Sequence, residues 1–400
     1  MTKIFKSAML GNEFIRYWIE NGFEQSKPLP VIPPQNWSDT LFVNSGLIGY
    51  LEILNKKGEM PCSLVTCQPC IKLGSVKFSL EEMMTKDGYF TFFEQLSCGG
   101  NHTVSIPWFT EKAWRYLTRV LHFLPEKVYI GVSSSQPFLR DCWIDSGVKI
   151  ENITFPDPHA FILNLRDGKI HGTYSSLYYD RGKNHPLACK KVNCDINCSC
   201  DRFLEIGDVG IIKSYGKTII DHGIGLERIT AVKEGSVRVT DIEQLSEILE
   251  FLKNELELEY PYLLKMLDHA RSAVVLLASG LKPGNKKKEY VLRNLIRQTF
   301  LLLFKAGDLR EEKINNIYGL ISKNLDDYLP YFKISQEAVI TEILKEFKKY
   351  QDLITRGEKV LQSFKGSGNR KELSRKDIEF LYNTYGLPPD IVNTLLTKDP

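Results

Sequence analysis

Nowhere does the sequence hold an apolar run long enough to cross a bilayer. Its longest, AVVLLA (273–278) and FLLLF (300–304), fall far short of the roughly 20 residues that such a helix requires. The opening MTKIFKSAMLGNEFIRYW lacks the apolar core and small-residue cleavage site of a signal peptide. A cytoplasmic protein with no membrane partner is expected. An excess of one charge is missing too. The chain sets 52 Lys and Arg against 49 Asp and Glu, and a net +3 is too small to imply a polyanion partner by itself. Internal repeats and low-complexity tracts are absent, which speaks against a solenoid or a disordered array.

What is present is an ordinary globular composition, 43% apolar and 25% charged over 400 residues, with room for two or three domains. Nine cysteines in such a chain read as reduced thiols, with metal ligation as the alternative to inertness. Cys189, Cys194, Cys198 and Cys200 fall within twelve residues, spaced C-x4-C-x3-C-x-C. Four such thiols can converge on Zn2+ if the loop folds back, although the spacing matches none of the common C-x2-C pairings. Cys62, Cys67 and Cys70 lie in a strand-like segment and read as small packing residues.

Up to about Thr240 the pattern is mixed. A helix is expected near Asn12–Asn21, followed by short β-like runs: TLFVNSG (40–46), SLVTCQPCIKLG (63–74), YFTFFEQL (89–96), KVYIGV (127–132), AFILNL (160–165), RFLEIGDVGIIKS (202–214) and KTIID (217–221). Long helical patterns between these runs are few, which argues for an α+β class with a largely antiparallel sheet flanked by helices. From Asp241 onward helical periodicity dominates, so a boundary near 240 separates residues 1–240 from an all-α domain over 241–400. Between Lys282 and Arg297 six Lys and Arg face one acid, Glu289. Val291, Leu292, Leu295 and Ile296 form a buried stripe there, while Arg293 and Arg297 share an exposed face. Such a helix suits a phosphate backbone, and a solvated basic face without a partner is the alternative.

The stretch IIDHGIGLERITAV (219–232) reads as a strand end, a Gly-x-Gly step at Gly223 and Gly225, then a helix carrying Leu226, Ile229 and Val232. Asp221, Glu227 and Arg228 would meet at that junction. Either a ligand site or a tight turn with a surface ion pair results.

Eight segments in order carry a resemblance: SDTLFVNSGL (38–47), CQPCIKLG (67–74), YFTFFEQL (89–96), DRFLEIGDVGIIK (201–213), IIDHGIGLERI (219–229), DHARSAVVLLASGLKPGN (268–285), YVLRNLIRQ (290–298) and LYNTYGLPPD (381–390). Segment by segment the chain resembles the N-terminal portion of alanyl-tRNA synthetases. The match spans the catalytic and helical tRNA-recognition domains, without the editing and C-terminal oligomerisation domains, so a monomer is expected. The resemblance implies a class II core that joins an amino acid to AMP from ATP and transfers it to a tRNA. It implies that Arg228 clamps ATP. Asp221 would hold the substrate's α-ammonium, and Gly223 would lie beside that pocket. Phe93 would stack on adenine, or Phe92 if the register slips by one. Glu205, with Asp208 three residues on, would hold Mg2+. The other reading of Glu205 is a strand carboxylate paired with Arg202.

Several positions depart from the family's pattern. The arginine that touches the α-phosphate corresponds to Lys72, which keeps the charge but loses the planar fork. The family's Gly-Gly-Lys-His-Asn loop becomes GSVKFS, leaving Lys77 as the cation for that role. A carboxylate becomes Ser176. In the amino-acid pocket a Trp corresponds to Leu163, a Trp-Asn pair to Gly207-Asp208, and a Val to Gly210. A smaller wall with added charge points away from alanine alone, toward a larger or cationic amino acid. On the tRNA side Asn285 matches the family's reader of the acceptor-stem G·U pair, and Asn383 replaces an Asp partner. Arg271, Arg293 and Arg297 would contact the backbone. Three functions are compatible: tRNA aminoacylation, delivery of an adenylate to a carrier protein, peptide or small molecule, and a pseudo-synthetase that binds tRNA without chemistry.

Overall fold

The computed structural model describes residues 6–34, 40–57, 60–134, 136–155, 162–165, 170–198, 200–214, 216–366, 373–385, 387 and 389–398. The chain divides into two units, Met1–Glu247 and Ile248–Pro400. In the first, nine strands among the described residues form one sheet: β1 (Glu24–Gln25), β2 (Leu64–Ile71), β3 (Phe92–Gly100), β4 (Val128–Val132), β5 (Ile153–Thr154), β6 (Ile162–Leu165), β7 (Ile170–Asp180), β8 (Phe203–Ser214) and β9 (Lys217–Gly225). Their order is β1-β2-β3-β9-β8-β7-β4-β5, with β6 paired to β7 off this path. Every pairing is antiparallel except β1 with β2 and β4 with β5. This is the α+β class that the scarcity of crossover helices predicts. Among the described residues six α-helices accompany the sheet: α1 (Lys6–Glu20), α2 (Leu47–Lys57), α3 (Leu80–Thr85), α4 (Ile106–Arg115), α5 (Pro137–Asp145) and α6 (Leu226–Glu234).

Side chains alternate across a strand, so each face of the sheet has its own composition. One face carries Val65, Phe92, Leu96, Cys98, Val209, His222 and Ile224, all buried. Leu10, Phe14 and Trp18 recur at helical spacing on α1 and cover it. Trp18 stacks on Phe109 of α4 at 4.9 Å between centroids, and Phe14 meets Tyr116 edge-on at 5.2 Å. His222 lies among these rings, and burial lowers its pKa to about 4, so it stays neutral. Its Nδ1–H donates to the Asp208 carbonyl at 2.6 Å, a tautomer fixed by the acceptor being a carbonyl. At one end of the opposite face α2 buries Leu47, Tyr50, Leu51 and Leu54 against Leu64, Ile170, Ile212 and Ile219.

Three strand readings are corrected. TLFVNSG is not a strand but turns and loop leading into α2, anchored by Val43 N–H to Val31 O and Ile71 N–H to Val43 O, both 2.9 Å. β9 does not end at Asp221 but runs through both glycines to Gly225, and α6 follows at once. Asp221, Glu227 and Arg228 therefore do not cluster at one turn. Glu227 is buried and accepts the Glu94 N–H at 3.2 and 3.3 Å. Finally, β7 was hidden by its polar content, IHGTYSSLYYD, yet it is among the longest strands. Its pairing with β8 shifts by one at Leu177/Tyr178: Leu177 faces Gly207, Tyr178 faces Glu205, and Ile206 has no partner in the register.

Helix α7 (Glu243–Glu255) crosses the unit boundary. Beyond it lie α8 (Tyr260–Ala278), α9 (Lys287–Lys305), α10 (Glu311–Tyr328), α11 (Gln336–Gly366), α12 (Arg375–Tyr385) and α13 (Pro389–Lys398). From Leu263 to Leu276 nearly every residue of α8 is buried, which makes it the central helix of this unit. Phe300 of α9 meets Phe347 and Tyr350 of α11 at 5.5 and 5.4 Å, and Thr299 Oγ1 bonds the Tyr318 hydroxyl of α10 at 2.7 Å.

Trp18 has no exposed surface and anchors the α1–sheet contact. Trp18→Ala should cost about 3–5 kcal/mol of stability. Urea unfolding followed by circular dichroism checks this, and a cost below about 1 kcal/mol would show that α1 is not fixed by that ring.

Candidate active site

The register decides which side chains meet. In antiparallel pairs, directly opposed residues point to the same face. Asp221 faces Gly210 on β8 and Gly99 on β3, and Gly223 faces Asp208 and Ser97. On β2 and β3, Cys70 opposes Phe93 and Gln68 opposes Gln95. On β7 and β8, Ser176 opposes Asp208, Tyr174 opposes Gly210, and beyond the bulge Tyr178 opposes Glu205. One face thus gathers Phe93, Gln95, Asp208, Asp221, Ser176 and Glu205. Phe92 points the other way and is fully buried, whereas Phe93 is half-exposed.

The glycines admit close neighbours here. A Cβ on Gly223 would fall 2.1 Å from Gln95 Nε2, and one on Gly225 would fall 3.2 Å from Arg228 Cδ. The Arg228 side chain therefore lies over the same face. Its Nη1 donates to the Glu205 carbonyl at 2.8 Å and to Glu205 Oε2 at 3.3 Å, and its Nε donates to Gly88 O at 3.0 Å. The Tyr89 ring stacks on the guanidinium at 4.4 Å, and its hydroxyl donates to Glu205 Oε2 at 2.9 Å. Glu205 is not paired with Arg202, which instead grips Asp180 through two bonds of 2.7 and 2.6 Å. Lys72 and Lys77 are exposed.

Asp221 is only 5% exposed, and no donor among the described residues bonds its carboxylate. Desolvation raises its pKa well above the usual carboxylate range, and the nearby Asp208 adds to the rise. Asp208 is pushed up to about 7 by burial and then by Glu205, against the pull of Lys72. Two carboxylates so placed favour an arriving cation, which relieves the cost of ionising both.

The wall around them departs from what the sequence suggests. Gly210 does not open the pocket, because the Tyr174 ring occupies the space: a Cβ there would fall 2.4 Å from Tyr174 Cε1. Leu163 packs with Tyr174 against the α2 core. Tyr174, Tyr89 and Gln95 were not singled out from the sequence. The Tyr-rich β7 run and the glycines opposite it were the available signal.

In the helical unit the basic residues separate. Asn285 is exposed and accepts a hydrogen bond from Arg293 Nη1. Arg297 is tied to buried Glu346 by a 2.7 Å ion pair. Arg271 is 1% exposed inside α8, so it is not a surface contact for a phosphate; an apolar helix buried all round leaves it no route to solvent. Asn383 lies in α12, and its side chain is outside the described residues. The sulfurs of Cys189, Cys194, Cys198 and Cys200 do come together, all within 4.8 Å of one another.

The raised carboxyls carry a pH signature. An unfolded Asp titrates near pH 4 and folded Asp208 near 7, so the folded state binds the extra proton between those values. Stability contributed by that proton is complete below about pH 4 and is lost as pH rises toward 7. Asp208→Asn should flatten this fall. Melting temperature measured at intervals across the window tests it, and parallel curves for the two proteins would refute it.

The family model described as tRNA synthetases class II (A) matches residues 10–399. The alanine–tRNA ligase of Helicobacter acinonychis (strain Sheeba) is 27% identical over 96% of this chain, and that of Desulfitobacterium hafniense (strain Y51) is 26% identical over 99%. The chain spans about half the length of these curated relatives, 47% and 46% respectively. A crystal structure of apo S. aureus histidyl-tRNA synthetase covers 61% of this chain and 73% of its own, at 13% identity and a TM-score of 0.34. At that likeness the assignment rests on the sequence match. No helix among the described residues is long and apolar enough to cross a membrane. The chain belongs to the class II (A) tRNA synthetases and is alanine–tRNA ligase-like.

Proposed function

We propose that this chain activates an amino acid with ATP as an aminoacyl-adenylate and transfers the aminoacyl group to the end of a tRNA. The observation that carries this reading is Asp221: a buried carboxylate without a donor, on the face that also holds Phe93, Arg228 and Glu205. Asp221 would receive the α-ammonium in a charge-assisted bond. The substrate carboxylate oxygen then attacks the α-phosphorus, and pyrophosphate leaves. Lys72 and Arg228 would offset the charge that builds on the phosphates, with Lys77 at the outer end. Phe93 would stack on adenine. Glu205 would hold Mg2+, which would offset phosphate charge, with Asp208 as a second ligand or as part of the amino-acid pocket. For ATP to reach Arg228, the Tyr89 ring must leave the guanidinium it covers.

Residues 1–240 would perform this chemistry, and residues 241–400 would recognise the acceptor stem. Exposed Lys282, Lys286 and Lys287 flank Asn285 in the sequence, and the Arg293 bond orients its amide. Arg293 and the lysines would contact the backbone, with Asn383 as the second reader.

Asp208 favours a specific substrate class within this reading. Its carboxyl stands diagonally across from Asp221 on the paired strand, while Tyr174 fills the volume above Gly210. An amino acid with a second donor or cation on a short side chain suits that arrangement better than alanine or a long side chain.

ATP–pyrophosphate exchange across amino acids, followed by labelling of total tRNA, tests the proposal. Asp221→Asn should lower exchange roughly 10- to 100-fold, the worth of one hydrogen bond to a charged group. Asp208→Asn should shift preference toward an uncharged amino acid. Exchange without tRNA labelling would redirect the acceptor to a carrier or small molecule. Exchange with no amino acid would leave a binding protein.

A further inference from the structure

Residues 181–202, between β7 and β8, contain no helix or strand among the described residues. Loops of this length are uncommon in compact domains unless something orders them. Ile196 is the one apolar side chain that the loop buries among its described residues, too little to hold it. The cysteines supply the missing organisation. Sγ of Cys189 lies 3.4 Å from that of Cys198, and Sγ of Cys194 lies 3.5 Å from that of Cys200.

Unlike buried Cys70 and Cys98, these thiols are half-exposed and turn toward each other. Their separations are too long for disulfides, whose sulfurs sit about 2.05 Å apart. Four thiolates at about 2.3 Å from a zinc ion stand about 3.8 Å from one another at the corners of a tetrahedron. The observed range, 3.4 Å to at most 4.8 Å, brackets that value. A polynuclear iron–sulfur cluster would place its own atoms between the sulfurs and spread them further. Backbone donors are also in position: the Lys191 N–H points at Cys189 Sγ and the Cys200 N–H at Cys198 Sγ, two residues on in each case.

We propose that Cys189, Cys194, Cys198 and Cys200 bind one zinc ion as a closed tetrathiolate that fixes the entry of β8. Four protein ligands leave no open position, so the ion's role is structural. The loop it closes leads directly into the sheet. Arg202, two residues after Cys200, clamps Asp180 at the end of β7 and reaches the Cys194 carbonyl at 3.3 Å. Asp201 accepts the Asp87 N–H at 3.3 Å, which ties the same point to the segment before Tyr89.

Metal analysis of the full chain purified under reducing conditions should find one zinc per chain. Exchange with Co2+ should give the intense visible bands of tetrahedral tetrathiolate coordination. The double variant Cys194→Ser, Cys198→Ser should lose the zinc and melt at lower temperature, while Cys62→Ser retains it. Folded wild-type protein with neither zinc nor the cobalt spectrum overturns the proposal. So does iron in place of zinc, or zinc kept by the double variant. Should the double variant fail to fold, the wild-type metal content and cobalt spectrum decide alone.

Discussion

The antiparallel register of β8 against β9 is the constraint on which the site depends. It sets Asp208 opposite Gly223 and Asp221 opposite Gly210, so each carboxylate faces a residue without a side chain. From Gly207 to Ser214 the alternation is unbroken, and slipping either strand by one residue would turn that set of side chains to the other face. The His222 imidazole holds this register from behind, donating to the Asp208 carbonyl from within the aromatic layer under the sheet. Packing and chemistry thus share one pair of strands. The apolar face fixes the register, and the register brings two acids together where water is scarce.

Two departures from the family's pattern turn out to be neighbours. The carboxylate missing at Ser176 and the one gained at Asp208 lie directly across the β7–β8 ladder. On the correspondence that the resemblance implies, a negative charge would be moved one strand sideways, about 5 Å. Tyr174 follows the same logic: its ring rests where the family's Val would stand at Gly210.

Much of this was legible in the sequence, for physical reasons. Short β-like runs bounded by turn residues mark β2, β3, β8 and β9, and helical periodicity marks α8, α9 and α11. Asp221 and Arg228 follow from the segment that carries them, and Phe93 over Phe92 follows from parity along β3. Other features were not legible. β7 was hidden because its polar side chains mask the pattern: Tyr174, Ser176 and Tyr178 lie on the face of the site, while Ser175 is buried against Trp143 and Tyr179 packs on Phe123. Arg271 reads as a surface cation because charge is a poor guide to burial when helices enclose it on every side. Gly210 reads as a gap because one strand alone does not reveal the ring its neighbour lays over it.

The bulge at Leu177/Tyr178 has a consequence in simple arithmetic. Glu205 and Asp208 are an odd number of positions apart, so an unbroken strand would send them to opposite sides of the sheet. The unpaired Ile206 corrects that parity, and both acids reach the same face of the sheet. Deleting Ile206 would remove the bulge and leave Glu205 two positions from Asp208, still on the same face, whereas deleting a paired residue between them and keeping the bulge would turn Glu205 into the apolar layer. In distant kin with this site, an odd interval between the two positions marks the irregular strand, and an even interval marks a sheet that reached the same arrangement without it.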